Sequence, residues 1–183
     1  YRYDRKSGER IKVKPVPQKD ELTFRWNWDA PFILSKYNET TLYIAANKLF
    51  KSTDRGNSWT AISGDLTRDE DRNQFKVMGK YWPASAVAKD VSTSQCGTIV
   101  SLAESPLKEG LLYVGTDDGV IQISEDDGEN WSKITSFPNI PEYTYVSDIC
   151  PSSYDENVVF ATFNNTKSDD FKPYVLKSND KGK

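Results

Sequence analysis

Ser52-Thr53-Asp54-Arg55-Gly56-Asn57-Ser58-Trp59 and Ser124-Glu125-Asp126-Asp127-Gly128-Glu129-Asn130-Trp131 match position for position as S-x-D-x-G-x-x-W. Ser178-Asn179-Asp180-Lys181-Gly182-Lys183 opens the same pattern a third time. Upstream of the first two lies a second shared segment. Ser35-Lys36-Tyr37-Asn38-Glu39-Thr40-Thr41-Leu42-Tyr43-Ile44-Ala45 aligns without a gap on Ser105-Pro106-Leu107-Lys108-Glu109-Gly110-Leu111-Leu112-Tyr113-Val114-Gly115, apolar on apolar. A looser third copy runs from Pro151 to Ala161, with Pro151 set against Ser105. Self-similarity of this kind marks a repeat architecture in which each repeat is one supersecondary unit.

Between these landmarks the sequence reads as short strands. Phe32 to Ser35, Leu42 to Ala46, Leu49 to Ser52 and Trp59 to Ile62 are apolar or alternating runs broken by Asn and Gly turns. Thr98 to Ala103, Leu111 to Thr116, Val120 to Ser124 and Trp131 to Ile134 repeat them, and Tyr145 to Cys150, Val158 to Phe163 and Tyr174 to Ser178 begin a third set. No stretch carries a sustained helical period. Four antiparallel strands per repeat, A to D, form the blade of a β-propeller. The expected fold is therefore all-β, a propeller fragment of about three four-stranded blades. Residues 1–29 are expected to hold the outer hairpin of a preceding blade and a connection, and 30–63 a blade. Residues 64–97 form a long inter-blade loop, 98–135 a second blade, and 136–183 a blade broken off within its S-x-D-x-G turn. Both ends fall inside blades, so the chain is expected to be part of something longer, with further blades of its parent as partners.

Composition narrows the function classes. The 24 basic and 27 acidic residues leave a net charge of -3, which makes no field for a polyanion, so no nucleic-acid partner is expected. The chain has no His, which removes His triads and His metal sites. No run approaches the roughly 18 apolar residues of a membrane helix, and no signal peptide is present in this piece. Cys96 and Cys150 are placed by the repeat before the start and at the end of a strand A, Cys150 level with Ser105. About nine residues of extended chain, roughly 30 Å, separate those levels, too far for a disulfide. Two free thiols are expected. Asp126-Asp127 lacks the ligand run of a calcium loop, and no metal or cofactor is expected.

The S-x-D-x-G-x-x-W pattern resembles the Asp-box, or bacterial neuraminidase repeat, of sialidases, xyloglucan-degrading propellers and the sortilin-type receptor propeller. Leu42-Tyr43-Ile44-Ala45, Leu49-Phe50-Lys51-Ser52-Thr53-Asp54-Arg55-Gly56, Ile62-Ser63-Gly64-Asp65-Leu66-Thr67-Arg68 and Gly115-Thr116-Asp117-Asp118-Gly119 are similar to large secreted bacterial propellers labelled sortilin-like or glycosyl hydrolase. The resemblance implies a secreted, periplasmic or cell-surface protein. It implies a structural role for Ser52, Asp54, Gly56, Trp59, Ser124, Asp126, Gly128, Trp131, Ser178, Asp180 and Gly182. Short polar side chains bond the turn backbone, Gly takes positive φ and Trp packs on the blade.

In a meander the C–D turns carrying these boxes lie opposite the D–A crossings, and the resemblance implies a site on the D–A face. The residues there suit stacking and bidentate hydrogen bonding to a sugar or peptide. Ligand-binding candidates are Arg25, Trp26, Trp28 and Asp29 ahead of the first strand A, Tyr81 and Trp82 in the long loop, and Asp117 and Asp118 in a B–C turn. Tyr143 and Tyr145 precede the third strand A, and Asp169 sits in a B–C excursion spanning Ser168 to Phe171. The competing expectation makes Trp26, Trp28 and Trp82 wedges between blades, Asp117-Asp118-Gly119 a plain turn, and Asp65 to Arg72 a solvated charged stretch. The leading function is a binding or scaffold module for extracellular carbohydrate or peptide. One alternative is a glycoside hydrolase, xyloglucanase-like or sialidase-like, using paired carboxylates; Asp29, Asp90, Asp117, Asp118, Glu142 and Asp169 are on that face, and no spacing selects a pair. Arg25 precedes Trp26 rather than the Ile-Pro of sialidases. A third reading is an assembly factor acting on another protein.

Overall fold

In the computed structural model, which describes residues 1–76, 78–83, 85–86 and 96–183, each S-x-D-x-G segment folds as the same turn. Ser52 Oγ accepts the Gly56 N–H at 2.8 Å and donates to Asp54 Oδ1 at 2.8 Å. Asp54 in turn accepts the N–H and hydroxyl of Ser58. Ser124, Asp126 and Asn130 repeat that network, and Ser178 Oγ accepts the Gly182 N–H at 2.7 Å. The turn places two successive residues at positive φ: Arg55 and Gly56 at 61° and 82°, Asp127 and Gly128 at 59° and 94°, Lys181 and Gly182 at 63° and 93°. The second must be Gly for space as well as for φ, because a Cβ on Gly128 would stand 2.8 Å from the Ile62 carbonyl oxygen.

These turns join antiparallel meanders. Strands β1 (Arg2–Tyr3) and β2 (Arg10–Ile11) form a hairpin. Strands β3 (Phe32–Leu34), β4 (Leu42–Ala45), β5 (Leu49–Ser52) and β6 (Thr60–Ala61) form a four-stranded sheet in chain order. Strands β7 (Ile99–Glu104), β8 (Leu112–Thr116), β9 (Ile121–Ser124) and β10 (Ser132–Ile134) form a second, and β11 (Tyr145–Pro151), β12 (Val159–Asn165) and β13 (Asp170–Ser178) a third. The fold is that of a β-propeller fragment. The third sheet has three strands among the described residues. Its hairpin is also tighter than expected: Thr166–Ser168 form a 3-10 turn and β13 already starts at Asp170, so 168–171 is no loop excursion.

The register moves the third copy by one residue. Leu42 pairs with Ser52 and Leu112 with Ser124, and their counterpart pair is Val159 with Ser178. Ser152, whose N–H bonds Val158 O, therefore matches Ser105, whose N–H bonds Leu111 O. Pro151 does not, and Cys150 stands level with Ala103 rather than Ser105, since it pairs with Phe160 as Ala103 pairs with Tyr113. A one-residue slip exchanges the two faces of a strand. The corrected register puts Val159 and Ala161 against the second sheet, as Leu112 and Val114 lie against the first. Neither Cys is in a disulfide.

Apolar layers join neighbouring sheets. Tyr43, Leu49, Ile99, Leu102, Leu112 and Val114 fill the gap between the first and second; Tyr113, Ile123, Val146, Ile149, Val159 and Phe163 fill that between the second and third. Gly115 allows the latter approach, since a Cβ there would lie 2.5 Å from Val146 Cγ1. The connection after β6 is anchored rather than solvated. Leu66 and Thr67 are buried, the Gln122 amide donates to Leu66 O at 2.6 Å, and Arg68 Nε donates to Asp118 O at 2.8 Å. The expected solvated stretch at 65–72 is thus corrected for 65–68, where Leu66 and Thr67 supply backbone acceptors to the second sheet, whereas Asp69, Glu70 and Asp71 are exposed.

Candidate functional site

Four of the eleven binding candidates meet in one place. Trp28, Asp29, Asp117 and Tyr145 line a cleft of about 530 Å³ together with Asn27, Asn164, Thr166 and Lys167. Its walls come from the segment ahead of β3, the β8–β9 loop, the start of β11 and the β12–β13 turn. Tyr145 opens β11 and Asn164 lies near the end of β12; the rest belong to D–A connections or B–C loops. Hydrogen bonds hold the cleft's first wall. Asp117 Oδ1 accepts the N–H groups of Gly97 at 2.9 Å and Thr98 at 2.7 Å, and Asp117 Oδ2 accepts the Thr98 hydroxyl at 2.8 Å. Thr98 Oγ1 also accepts from the Asn27 amide at 2.8 Å, and Asn27 Oδ1 accepts the Asp29 N–H at 3.0 Å. That relay fixes the backbone on either side of Trp28, whose side chain remains 79% exposed. The indole is a rigid apolar face held at the mouth of a polar cleft.

The electrostatics single out Asp117. Burial pushes its carboxyl above the ordinary range, against the hydrogen bonds from Thr98 and Gly97, and the neighbouring Asp118 charge adds to the rise. Tyr145 is likewise raised by burial and then by the negative charges of Asp117 and Asp29, which puts both carboxylates within electrostatic reach of one hydroxyl. Lys167 Nζ lies 5.8 Å from the Tyr145 ring centroid and supplies the cleft's cation.

The other candidates lie outside this lining. Arg25 donates to Asp65 Oδ2 at 2.6 Å, Thr67 Oγ1 at 3.1 Å and Gly97 O at 3.0 Å. Asp65 is half-buried; burial alone would raise its carboxyl, but Thr67, Asn47 and Arg25 hold it below the usual range. Trp26 stacks on Phe50 at 6.2 Å under Lys14 and covers the outer face of the first sheet. Asp118 is buried and accepts the Arg68 N–H and the Thr116 hydroxyl. Tyr143 lies under the Arg68 guanidinium and donates to Glu70 at 2.9 Å. Asp169 caps the 3-10 turn at φ 57°. Tyr81 and Trp82 are exposed, Tyr81 beneath Lys76. Asp90 lies outside the described residues. Asn27, Asn164, Thr166 and Lys167 are cleft residues that the sequence reading passed over. The signal for the last three was the B–C rule itself, applied a few residues too far along the chain.

Comparisons with known proteins agree with this architecture. No protein-family model matches the chain. Over 95 residues it is 34% identical to a xyloglucanase of a Paenibacillus species, a match covering 50% of this chain and 8% of that protein. Among solved structures it is similar to an ancestral GH74 enzyme, with TM-score 0.55 and 16% identity over 88% of this chain and 18% of the other. It is also similar to the GH74 enzyme of Niastella koreensis, with TM-score 0.51 and 17% identity over 84% and 22%. At such identities the likeness is one of fold. The chain is a β-propeller piece of the kind found in GH74 enzymes, and it spans less than a tenth of the curated relative it matches.

Proposed function

We propose that this chain is part of an exported Asp-box propeller whose D–A face binds a polysaccharide, with a glucan of the xyloglucan class as the ligand to try first. The observation that carries this is the cleft in which the exposed Trp28 face stands beside Asp29, Asn27, Asn164 and Thr166. Sugars present apolar ring faces edged by hydroxyls, and an aromatic plane ringed by carboxylate, amide and hydroxyl groups answers both. The xyloglucanase similarity supports the choice of glucan. The S-x-D-x-G turns, read as Asp-boxes, serve the fold from the opposite face. Titration of the chain with xyloglucan oligosaccharides tests the proposal. Trp28→Ala is expected to weaken binding about tenfold with the melting temperature unchanged. Equal affinity in the two proteins would remove Trp28 from the site.

A hydrolytic reading has one observation in its favour. Asp29 and Asp117 line the same cleft, and burial raises the Asp117 carboxyl, the direction a general acid requires. Release of reducing ends from xyloglucan, abolished by Asp29→Asn or Asp117→Asn with binding retained, would establish it. Binding without release leaves the module as a binding face.

A further inference from the structure

Thr98 is fully buried and lies outside the cleft lining, yet its hydroxyl joins two segments that carry the lining. It donates to Asp117 Oδ2 at 2.8 Å and accepts from the Asn27 amide at 2.8 Å. The backbone around it is clamped without help from that hydroxyl. Thr98 O accepts the Asp117 N–H at 3.0 Å, and Gly97 O accepts Arg25 Nε at 3.0 Å. A Cβ on Gly97 would lie 3.2 Å from Thr67 Oγ1, so the chain is seated tightly there. The Thr98 hydroxyl is a fixed point from which Asn27 can be held.

The direction of each hydrogen bond follows from chemistry. Asp117 Oδ1 takes the Gly97 and Thr98 N–H groups and Oδ2 takes the hydroxyl, so this carboxylate acts as acceptor only. The Thr98 proton is thereby committed to Asp117, and what the hydroxyl oxygen still offers is a lone pair. Asn27 must therefore present its NH2 to Thr98, which turns its carbonyl oxygen to the Asp29 N–H at 3.0 Å. A reversed amide would set oxygen against oxygen at one end and donor against donor at the other. The first repeat separates this role from that of the turn. Leu42 and Leu112 share a register position, which puts Asn47 level with Asp117. Asn47 Oδ1 accepts the Arg25 N–H at 3.0 Å, and its amide donates to Asp65 at 2.7 Å. An amide thus suffices to hold the backbone ahead of a strand A; the carboxylate of the second repeat also orients a hydroxyl. We propose that Thr98 is a positioning residue of the cleft: without touching a ligand, its hydroxyl orients Asn27 and so holds Trp28 and Asp29 in the pose that meets one. This rests on the reading of the cleft as a glycan site. The benefit is pre-organisation, since an aromatic face already fixed loses less freedom on binding.

Thr98→Val keeps the shape of the side chain and removes the hydroxyl, and Thr98→Ser keeps the hydroxyl. Asn27→Ala cuts the same relay from its half-buried side and serves if the buried change unfolds the protein. Without ligand, the order parameter of the Asp29 amide from NMR relaxation is expected to fall from the ~0.85 of rigid backbone toward ~0.6 in Thr98→Val and Asn27→Ala. Thr98→Ser should restore it. Order parameters unchanged in both relay variants overturn the proposal. With xyloglucan oligosaccharides, Thr98→Val is expected to weaken binding about three- to tenfold, Thr98→Ser to recover it, and the loss to vanish when Trp28 is already Ala. A loss of equal size in the Trp28→Ala protein overturns the proposal, because Thr98 would then act by another route. Full affinity in Thr98→Val overturns it as well. If the unaltered chain binds no oligosaccharide, the glycan reading falls and the order parameters alone decide whether Thr98 positions the Trp28 segment.

Discussion

Tyr43 and Tyr113 occupy the same register position, opposite Lys51 and Ile123, and both are 1% exposed. Their hydroxyls have different fates. Tyr43 donates to Asp127 Oδ1 at 3.0 Å, a residue of the next repeat's turn. At the corresponding place beyond Tyr113 stands Lys181, whose ammonium is turned to Glu125 and Glu156. The Tyr113 hydroxyl has no hydrogen-bond partner among the described residues, and burial together with Glu125 and Glu156 pushes it up to about 12. A buried hydrogen bond contributes about 1 kcal/mol net, whereas removing an unsatisfied buried hydroxyl relieves desolvation. Tyr43→Phe is therefore expected to destabilise by about 1 kcal/mol and Tyr113→Phe to be neutral or mildly stabilising. Urea unfolding midpoints of the two variants check this, and the opposite order would contradict it. The repeat made the two tyrosines equivalent on paper; only the neighbouring turn separates them, because Asp and Lys fill one position of the pattern that the motif leaves open.

At the scale of the turn, ionisation becomes a stability term. The Ser58 hydroxyl and N–H, with Ser52, hold the Asp54 carboxyl at about 2, and Lys183, Lys181 and Lys108 hold Glu125 at about 2. Both values lie below the ordinary 3.8 and 4.5, so the folded state prefers the ionised forms. Their stabilisation is complete above those ordinary values and is lost as pH falls toward the folded ones. Asp117 acts in the opposite sense: its raised folded value removes stability as pH rises past 3.8. With Asp54, Glu125 and Asp65 all lowered, and Asp126 and Asp180 of the other turns with them, melting temperature is expected to fall on acidification from about pH 5 toward pH 2. Asp54→Asn should flatten that fall. A variant that kept the full slope would show that the turn carboxylate contributes nothing to it. The strands of the two complete repeats were read from the sequence to within a residue or two, since alternation and the Asn and Gly turns mark them, whereas β13 starts at Asp170, four residues ahead of the expected Tyr174. The third copy slipped because Asp155-Glu156-Asn157 lacks the Gly of Gly110, and Val158-Val159 offers two apolar residues where register needs one.

For the whole molecule, protection should be graded across the sheets. The second sheet is covered on both faces, with Leu111 to Val114 buried throughout. The third sheet leaves Phe160, Phe171 and Val175 exposed, and one edge of β13 is unpaired among the described residues. Amide exchange is expected to be slowest in β8 and β9 and fastest in β13, by about an order of magnitude or more. Uniform exchange would mean that the three sheets open as one unit. The S-x-D-x-G-x-x-W period and the alternating runs were enough to specify the all-β blades, their strand order and the turns, because those depend on contacts a few residues apart. The cleft was not legible in the same way. The cleft lies on the face that the meander picked out, but nothing local ranked the eleven candidates there. In the folded chain Arg25 and Asp118 were consumed by hydrogen bonds to backbone and loop and Trp26 by Phe50, while Trp28, Asp29 and Tyr145 were left around one opening whose wall Asp117 holds through Gly97 and Thr98. Their partners lie tens of residues away along the chain, so no local pattern encodes which of them remains free to meet a ligand.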